Sequence, residues 1–388
     1  MNSVGYCVLA GGLGSRLRPL TDRLPKPLIR FGSDGRIIDF TLYNCLASGG
    51  GDCLVLTQYL SQLIERYLQE SWESAFGLQG RRLLVGGPPE GGGFLGTADA
   101  VFKSLGRYRR LPDYLVILAG DHVYRMDYRE MIDFHRSHGG WATVGAVSCL
   151  RGQANRFGII EAGPNGRIRR FHEKPRSLDG IAPARSRPLA SMGIYVFTAR
   201  ALMDFMGRAG TEGVSDFGGH VMPRMAAAGQ AYAFRFQGSR GSAGYWRDIG
   251  EIPAYWKASM ELLNGAGKKL CFEPLPGLHH LPFSTAQIVR KDGGEARNIR
   301  DSLLSGTARV GGGAVVEKSV LGPGARVEDG AVVRRSVLME GAVVRERALL
   351  EDAVIEPDTE VQGCDAPAPQ ASSNGVHFIF RRGRSAAA

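Results

Sequence analysis

Cysteine and lysine are both scarce in this 388-residue chain. The six cysteines (Cys7, Cys45, Cys53, Cys149, Cys271 and Cys364) include no Cys-x-x-Cys pair and no other zinc-like spacing. That excludes a disulfide framework and a structural metal finger, and leaves free buried thiols. Only 8 of the 48 basic residues are lysine, and the other 40 are arginine. No stretch approaches the roughly 18 uninterrupted apolar residues of a membrane span. The N-terminal MNSVGYCVLAGG has no basic segment followed by an apolar run and a cleavage site, so the expectation is a cytoplasmic protein with no membrane partner. Basic runs interleaved with aromatics are also missing, which argues against nucleic acid. The net charge of +10 then suits small phosphorylated ligands. With 44% hydrophobic and 22% charged residues the chain can build packed cores, and its length suggests at least two domains at about 100–200 residues each.

From Tyr6 to Asn264 short apolar runs alternate with amphipathic stretches, the pattern of parallel strands joined by helices. Tyr6–Gly12 and Tyr114–Asp121 read as buried strands ending in glycine and a polar loop, and Ser191–Phe197 as a third strand. Ligands of open α/β sheets collect at the carboxyl ends of strands, so Gly11 to Arg16 and Asp121 stand where chemistry is expected. The segment EIPAYWKASMELLN puts Ile252, Tyr255, Trp256, Met260 and Leu263 on one helical face and closes this region. Residues 265–300, rich in Gly and Pro with His279 and His280 adjacent, read as a linker carrying solvated histidines.

From Ser302 the pattern becomes an internal repeat. Aliphatic residues recur at Leu304, Val310, Val315, Leu321, Val327, Val333, Leu338, Val344, Leu350, Ile355 and Val361, in steps of six and an occasional five, with a small residue two places before each. A hexapeptide period is the signature of a β-helix whose coils each contain three short strands, here about three coils. So short a solenoid has exposed ends, which predicts packing against the first region or other subunits. The tail, with Pro367, Pro369, Arg381, Arg382 and Arg384, shows no repeat.

Several segments carry candidate chemistry. Gly11, Gly12 and Gly14 follow a predicted strand, so their N–H groups can approach phosphates, and Arg16 and Lys26 add positive charge. The spacing is neither a dinucleotide fingerprint nor a P-loop, and by itself it equally describes a tight turn with surface charges. Asp121, directly after a buried strand, is placed to hold Mg²⁺ or to cap the next turn. His122 beside it is a candidate base, with a packing or orienting role preferred. Gly96–Ala100, Phe171–Pro175, Ser191–Gly193, Ser215–Phe217 and Tyr245–Gly250 each have a local explanation alone.

Their order is distinctive. LAGG with LGSRLRPLT, then PKP, RIIDF, TQY, GTADAV, ILAGDHVY, FHEKP, SMGIYVF and YWRDIG ahead of hexapeptide repeats resembles the ADP-glucose pyrophosphorylase (glucose-1-phosphate adenylyltransferase) family over residues 5–362. The resemblance implies an α/β fold: a Rossmann-like nucleotidyltransferase domain with a mostly parallel sheet at 1–264 and a linker at 265–300. A C-terminal left-handed parallel β-helix at 301–364 and a tail at 365–388 follow. It implies that ATP and glucose 1-phosphate give ADP-glucose and pyrophosphate with Mg²⁺, in glycogen or α-glucan synthesis. By resemblance Asp121 and Asp248 bind the metal, and Arg16 and Lys26 hold the nucleotide's phosphates, with Gly11 and Gly12 at the nucleotide. Gln58, Gly96 and Thr97 resemble the adenosine contacts and Lys174 the sugar-phosphate ligand, while Glu173, Ser191, Gly158 and Asp216 resemble the glucose contacts. A homotetramer and a small anionic allosteric effector are further expectations. Pro25 stands where the adenylyl branch usually has Ala, and Phe94 and Leu95 where Tyr and a polar residue are common; the catalytic set is intact. Two alternatives stay beside this reading. RIIDF and GTADAV argue against a sugar nucleotidyltransferase using UTP, dTTP or GTP. Retention of Asp121 and Asp248 argues against a non-catalytic regulatory subunit.

Overall fold

A computed structural model describes residues 3–89, 92–183, 186–209, 213–237, 244–266, 270, 275, 287–289, 298–362, 371–373 and 375–379. Most of the linker and tail, including His279, His280, Cys271, Cys364, Arg381, Arg382 and Arg384, lies outside the described residues. Cys7, Cys45, Cys53 and Cys149 are free and buried, as expected. Contacts group the chain into two compact units, residues 1–12, 41–120 and 125–246 in one and residues 13–40, 121–124 and 247–388 in the other.

The first unit is built on a nine-stranded mixed sheet. One side of the sheet, out to the edge strand β3, is parallel: β1 (Val4–Leu9), β2 (Cys53–Leu56), β3 (Leu83–Gly86) and β4 (Tyr114–Ala119) lie in the order β4-β1-β2-β3. Cys7, Val8, Leu54, Val55 and Leu115 to Leu118 are fully shielded, as continuous apolar runs of a two-faced sheet should be. Helices α1 (Ile37–Ala47), α2 (Ser61–Ser71) and α3 (Thr97–Ser104) lie on the connections between these strands. After β4 the chain runs through β5 (His122–Tyr124) to α4 (Tyr128–His138). Asp127 caps the start of α4 by accepting from the Arg129 N–H, and Gly139, at φ 65°, ends it.

The rest of the sheet is mixed, within the mostly parallel sheet expected. It comprises β6 (Ala142–Ser148), β7 (Gly158–Ala162), β8 (Ile168–Glu173), β9 (Leu189–Thr198) and β10 (Ala231–Arg235). The predicted strand Ser191–Phe197 lies within β9, but it runs antiparallel to β4, β6 and β7. Strands β8 and β9 pair antiparallel with β7 on its two sides, and among the described residues no helix lies between them along the chain. A register shift between Ser191 and Tyr195 marks a bulge. Helix α5 (Ala199–Ala209) follows β9.

In the second unit β11 (Trp246–Asp248) pairs with β5 in a two-stranded ribbon, and α6 (Ile252–Glu261) follows. Its buried face is Tyr255, Ala258 and Ser259, continuing to Leu262, rather than the expected face through Ile252, Trp256 and Met260. The small Ala258 and Ser259 permit close packing, and the Ser259 hydroxyl is satisfied by the Tyr255 carbonyl. Trp256 instead donates its indole N–H to the Arg335 carbonyl at 2.6 Å.

The repeat forms three parallel sheets. Leu303, Val320, Val337 and Val354 stack in one, Val316 and Val333 with Leu350 in another, and Val310, Val327, Val344 and Val361 in the third. Equivalent residues are 17 apart, as in the ladder where the Ser319 and Ser336 N–H groups bond the preceding coil's serine hydroxyl. Two of the sheets have four strands, giving four coils where the sequence suggested three. Val316 rather than Val315 points into the core, because a 17-residue coil fixes the inward position through Val333. The corners of each coil use the left-handed region, at Asp301, Lys318, Arg335 and Asp352 with φ of 46°, 47°, 44° and 47°. Among the described residues no helix is long and apolar enough to cross a membrane.

Candidate active site

The second unit brings three charged side chains together from distant segments. Lys26 opens a short turn after Pro25 and is only 5% exposed. Its ammonium donates to Asp121 Oδ2 at 2.7 Å and to Asp248 Oδ1 at 3.2 Å. Asp121 precedes β5 and Asp248 ends β11, so the pairing of these strands sets the carboxylates side by side. His122 Nε2 lies 3.7 Å from Asp121 Oδ1 and 4.0 Å from Asp248 Oδ1.

Charge attraction overcomes desolvation at this cluster. Burial would raise the Asp121 pKa, but Lys26 and His122 outweigh it and the carboxyl titrates at about 2. Burial likewise opposes ionisation of Asp248, yet Lys26 and His122 hold it below the usual carboxylate value. Burial would lower the Lys26 pKa, and the two carboxylates reverse that and raise it. One ammonium therefore faces two carboxylates near neutral pH. Donor atoms of Asp121, His122 and Asp248 lie within 4.8 Å of one another. The paired carboxylate oxygens fit a hard divalent cation such as Mg²⁺. Arg16, on a three-residue helical turn after Gly14, is 57% exposed and lies 3.7 Å from Glu251 rather than against this cluster.

The remaining candidates all belong to the first unit, and most form one line of contacts. Gly11 lies against Gln58, whose Oε1 accepts from the Phe94 N–H at 3.1 Å. The loop continues to Leu95, whose N–H donates to Asp99 Oδ2 at 2.9 Å, with Lys103 pairing the same oxygen. A side chain on Gly96 would collide with the Ser215 carbonyl, which explains the glycine. Thr97 Oγ1 then donates to Asp216 Oδ2 at 2.8 Å. Gly218 lies under Glu173, where a Cβ would approach Oε2 to 2.5 Å. Glu173 faces Gly158 across the β7–β8 ladder and pairs with Lys174 Nζ at 3.0 Å. Gly12 is exposed at the start of the glycine turn. Ser191 stands at the β9 bulge, 7% exposed, and accepts from the Gly193 N–H at 3.2 Å.

Sequence reasoning found Asp216 and Thr97 but not their bond to each other. It also missed Asp99 and Gly218. Asp99 is inside GTADAV, and its complete burial beside a loop is a folding outcome. The glycines after Phe217 were the available signal, since paired glycines beside an acidic residue mark close approach.

In the first unit Gly11 and Gly12 follow β1, and in the second an ammonium faces paired carboxylates; each feature suits proteins that bind nucleoside triphosphates and transfer part of them. Residues 6–265 match the family described as nucleotidyl transferase, and residues 284–365 match the GlmU-like, C-terminal hexapeptide family. Glucose-1-phosphate adenylyltransferase 2 of Vibrio parahaemolyticus is 38% identical over 286 residues, covering 70% of this chain and 67% of its own length. The protein of the same name from Vibrio vulnificus strain YJ016 is 34% identical over 327 residues, 81% of each chain. Glucose-1-phosphate adenylyltransferase of Hydrogenovibrio crunogenus is 36% identical over 321 residues, 81% of this chain and 76% of its own. The chain belongs to the nucleotidyl transferase family, on the branch of the glucose-1-phosphate adenylyltransferases.

Proposed function

We propose that this protein transfers the adenylyl group of ATP to glucose 1-phosphate, releasing pyrophosphate and forming ADP-glucose for α-glucan synthesis. The observation that carries the proposal is the convergence of Lys26, Asp121 and Asp248, in a chain whose relatives bear the adenylyltransferase name.

The chemistry requires two anions to meet. Unit charges at 4 Å repel by about 4 kcal/mol at an effective dielectric near 20. Arg16 and Lys26 oppose that repulsion at the nucleotide's phosphates, and the amides of Gly11 and Gly12 contribute partial positive charge. Gln58 and Gly96 line the adenosine position. Lys174 holds the sugar phosphate, and Glu173, Ser191 and Gly158 shape the glucose position. Asp121 and Asp248 would hold the metal, and a divalent cation such as Mg²⁺ bound there would supply positive charge that stabilises the reacting phosphates. An oxygen of the sugar phosphate bonds to the α-phosphorus as the bond to the bridging oxygen of pyrophosphate breaks. That oxygen is already ionised, so no general base is required and no covalent enzyme intermediate forms.

A cytoplasmic homotetramer with a small anionic effector completes the proposal. Pyrophosphate release from ATP and glucose 1-phosphate, measured with a panel of phosphorylated metabolites and with size-exclusion light scattering, tests it. Release with another nucleotide instead of ATP would overturn the substrate assignment.

A further inference from the structure

The segment Ser215–Gly218 is bonded to the first turn of α3 through both side chains and backbone. Thr97 donates its one hydroxyl proton to Asp216 Oδ2 at 2.8 Å, and the same hydroxyl accepts from the Phe217 N–H at 3.0 Å. The other Asp216 oxygen accepts from the Gly219 N–H at 2.8 Å. The Ser215 carbonyl accepts from the Ala98 and Asp99 N–H groups at 2.8 and 3.1 Å. It thereby caps the exposed amides that a helix start leaves unpaired. His220 Nδ1 accepts from the Ser215 and Asp216 N–H groups, which braces the segment from its other side.

The segment is also fixed to the sheet. Phe217 is 2% exposed and stacks on Tyr195, with ring centres 5.5 Å apart, beside Phe197. The next residue, Gly218, lies directly beneath the Glu173 carboxylate. A displacement of Gly96 and Thr97 therefore passes through Ser215 and Asp216 to the surface on which Glu173 rests.

We infer that Thr97 and Asp216 are positioning residues that couple the nucleotide loop to the sugar carboxylate Glu173, rather than ligands of adenosine and glucose. The names of the two substrates rest on the adenylyl-transfer reading; the clamp itself does not. Thr97 has its one donor proton engaged by Asp216, and each Asp216 oxygen accepts a hydrogen bond from a protein group. The interaction is a hydroxyl to carboxylate bond, among the stronger kinds in proteins, and residues in one such network show coupled losses on substitution.

The test is a double-mutant cycle on the full chain with Thr97→Val and Asp216→Asn, reading kcat and the KM of each substrate. Thr97→Val is expected to raise the KM for glucose 1-phosphate as well as that for ATP, each by about tenfold, although Thr97 opens α3 directly after the nucleotide loop. Asp216→Asn is expected to do the same, and the pair to be no worse than about twofold beyond either single change. Thr97→Ser, which keeps the hydroxyl, recovers most of the loss. Effects confined to ATP for Thr97 and to glucose 1-phosphate for Asp216, multiplying in the pair, would overturn the inference. The same cycle on urea midpoints without substrate reads the clamp alone: non-additive shifts support it and additive shifts overturn it. Inactivity of the unsubstituted protein with ATP would defeat the substrate assignment and leave the urea cycle standing.

Discussion

Lys26 Nζ donates to Asp121 Oδ2 at 2.7 Å although the two residues are 95 positions apart. The ammonium neutralises part of a carboxylate pair that would otherwise repel itself, and the pair in turn keeps the buried ammonium charged. Asp121→Asn keeps the size of the side chain and removes its charge. Turnover is expected to fall by about 10²–10³, the loss typical of a group that stabilises developing charge. The far-ultraviolet circular dichroism spectrum stays that of the folded protein. Unchanged turnover would remove Asp121 from the mechanism.

Because Lys26 already supplies a countercharge to both carboxylates, the fold does not depend on a bound cation. Chelation with EDTA is expected to stop pyrophosphate release while leaving the melting temperature unchanged, and added Mg²⁺ restores activity. Unfolding on chelation would show instead that the ion is a structural element.

Lys174 is 62% exposed and, among the described residues, forms its ion pair with its neighbour Glu173, so its removal costs little stability. Lys174→Ala is expected to raise the KM for glucose 1-phosphate by about tenfold or more, the loss of one charge-assisted contact, with the KM for ATP nearly kept. Steady-state kinetics varying each substrate in turn decides the matter. An equal rise in both constants would give Lys174 a structural role.

A buried histidine pair makes stability sensitive to acid. His138 Nδ1 accepts from the Gly140 N–H, so its Nε2 carries the proton and faces Thr143 Oγ1 at 2.7 Å. Thr143 then donates to His135 Nδ1 at 2.9 Å, and His135 Nε2 donates to Thr198 Oγ1 at 3.0 Å. Burial, with repulsion from His138 and Arg136, lowers the His135 pKa to about 3, and burial lowers that of His138 to about 4. Both lie below the ordinary 6.5, so the unfolded chain takes up protons first. Stability is therefore full above pH 6.5 and falls toward pH 4, by at most about 1.4 kcal/mol per pH unit for the buried His135 and by less for the half-buried His138, which solvent screens. Asp121, with a folded pKa of about 2 against 3.8, adds a further loss only below about pH 4. Urea midpoints from pH 7.5 to 5 are expected to decline, and His138→Gln to flatten the slope; a level profile in the unsubstituted protein would contradict this.

How much of this was legible depends on whether a feature is local. The repeat was legible because each coil reuses one 17-residue pattern, although Val315 was mistaken for Val316 where two valines adjoin. Asp121 was legible because a polar residue after the run YLVILAG stands at a strand's end. The antiparallel course of β9 was not, since its apolar run looks the same in either direction. The α6 face was misread because Ala258 and Ser259 pack by their smallness rather than their hydrophobicity. The bond between Thr97 and Asp216 spans 119 positions, and no periodicity reports such a pairing.

The serine ladder predicts where the solenoid is vulnerable. Ser319 is fully buried, donates to the Glu317 carbonyl and accepts from the Ser336 N–H. Ser319→Ala leaves that buried N–H without its acceptor and is expected to cost about 1–3 kcal/mol. Urea denaturation followed by circular dichroism measures it, and a change below about 0.5 kcal/mol would show that the ladder does not hold the coils together.

The central claim is that this chain moves an adenylyl group onto a sugar phosphate. Its most direct test is pyrophosphate release by the purified protein with glucose 1-phosphate and Mg²⁺, supplied in turn with ATP, UTP, dTTP and GTP. The account predicts release with ATP, formation of ADP-glucose in equal amount, and loss of both in Asp121→Asn. Release with UTP, dTTP or GTP in place of ATP, or none with all four, would contradict it.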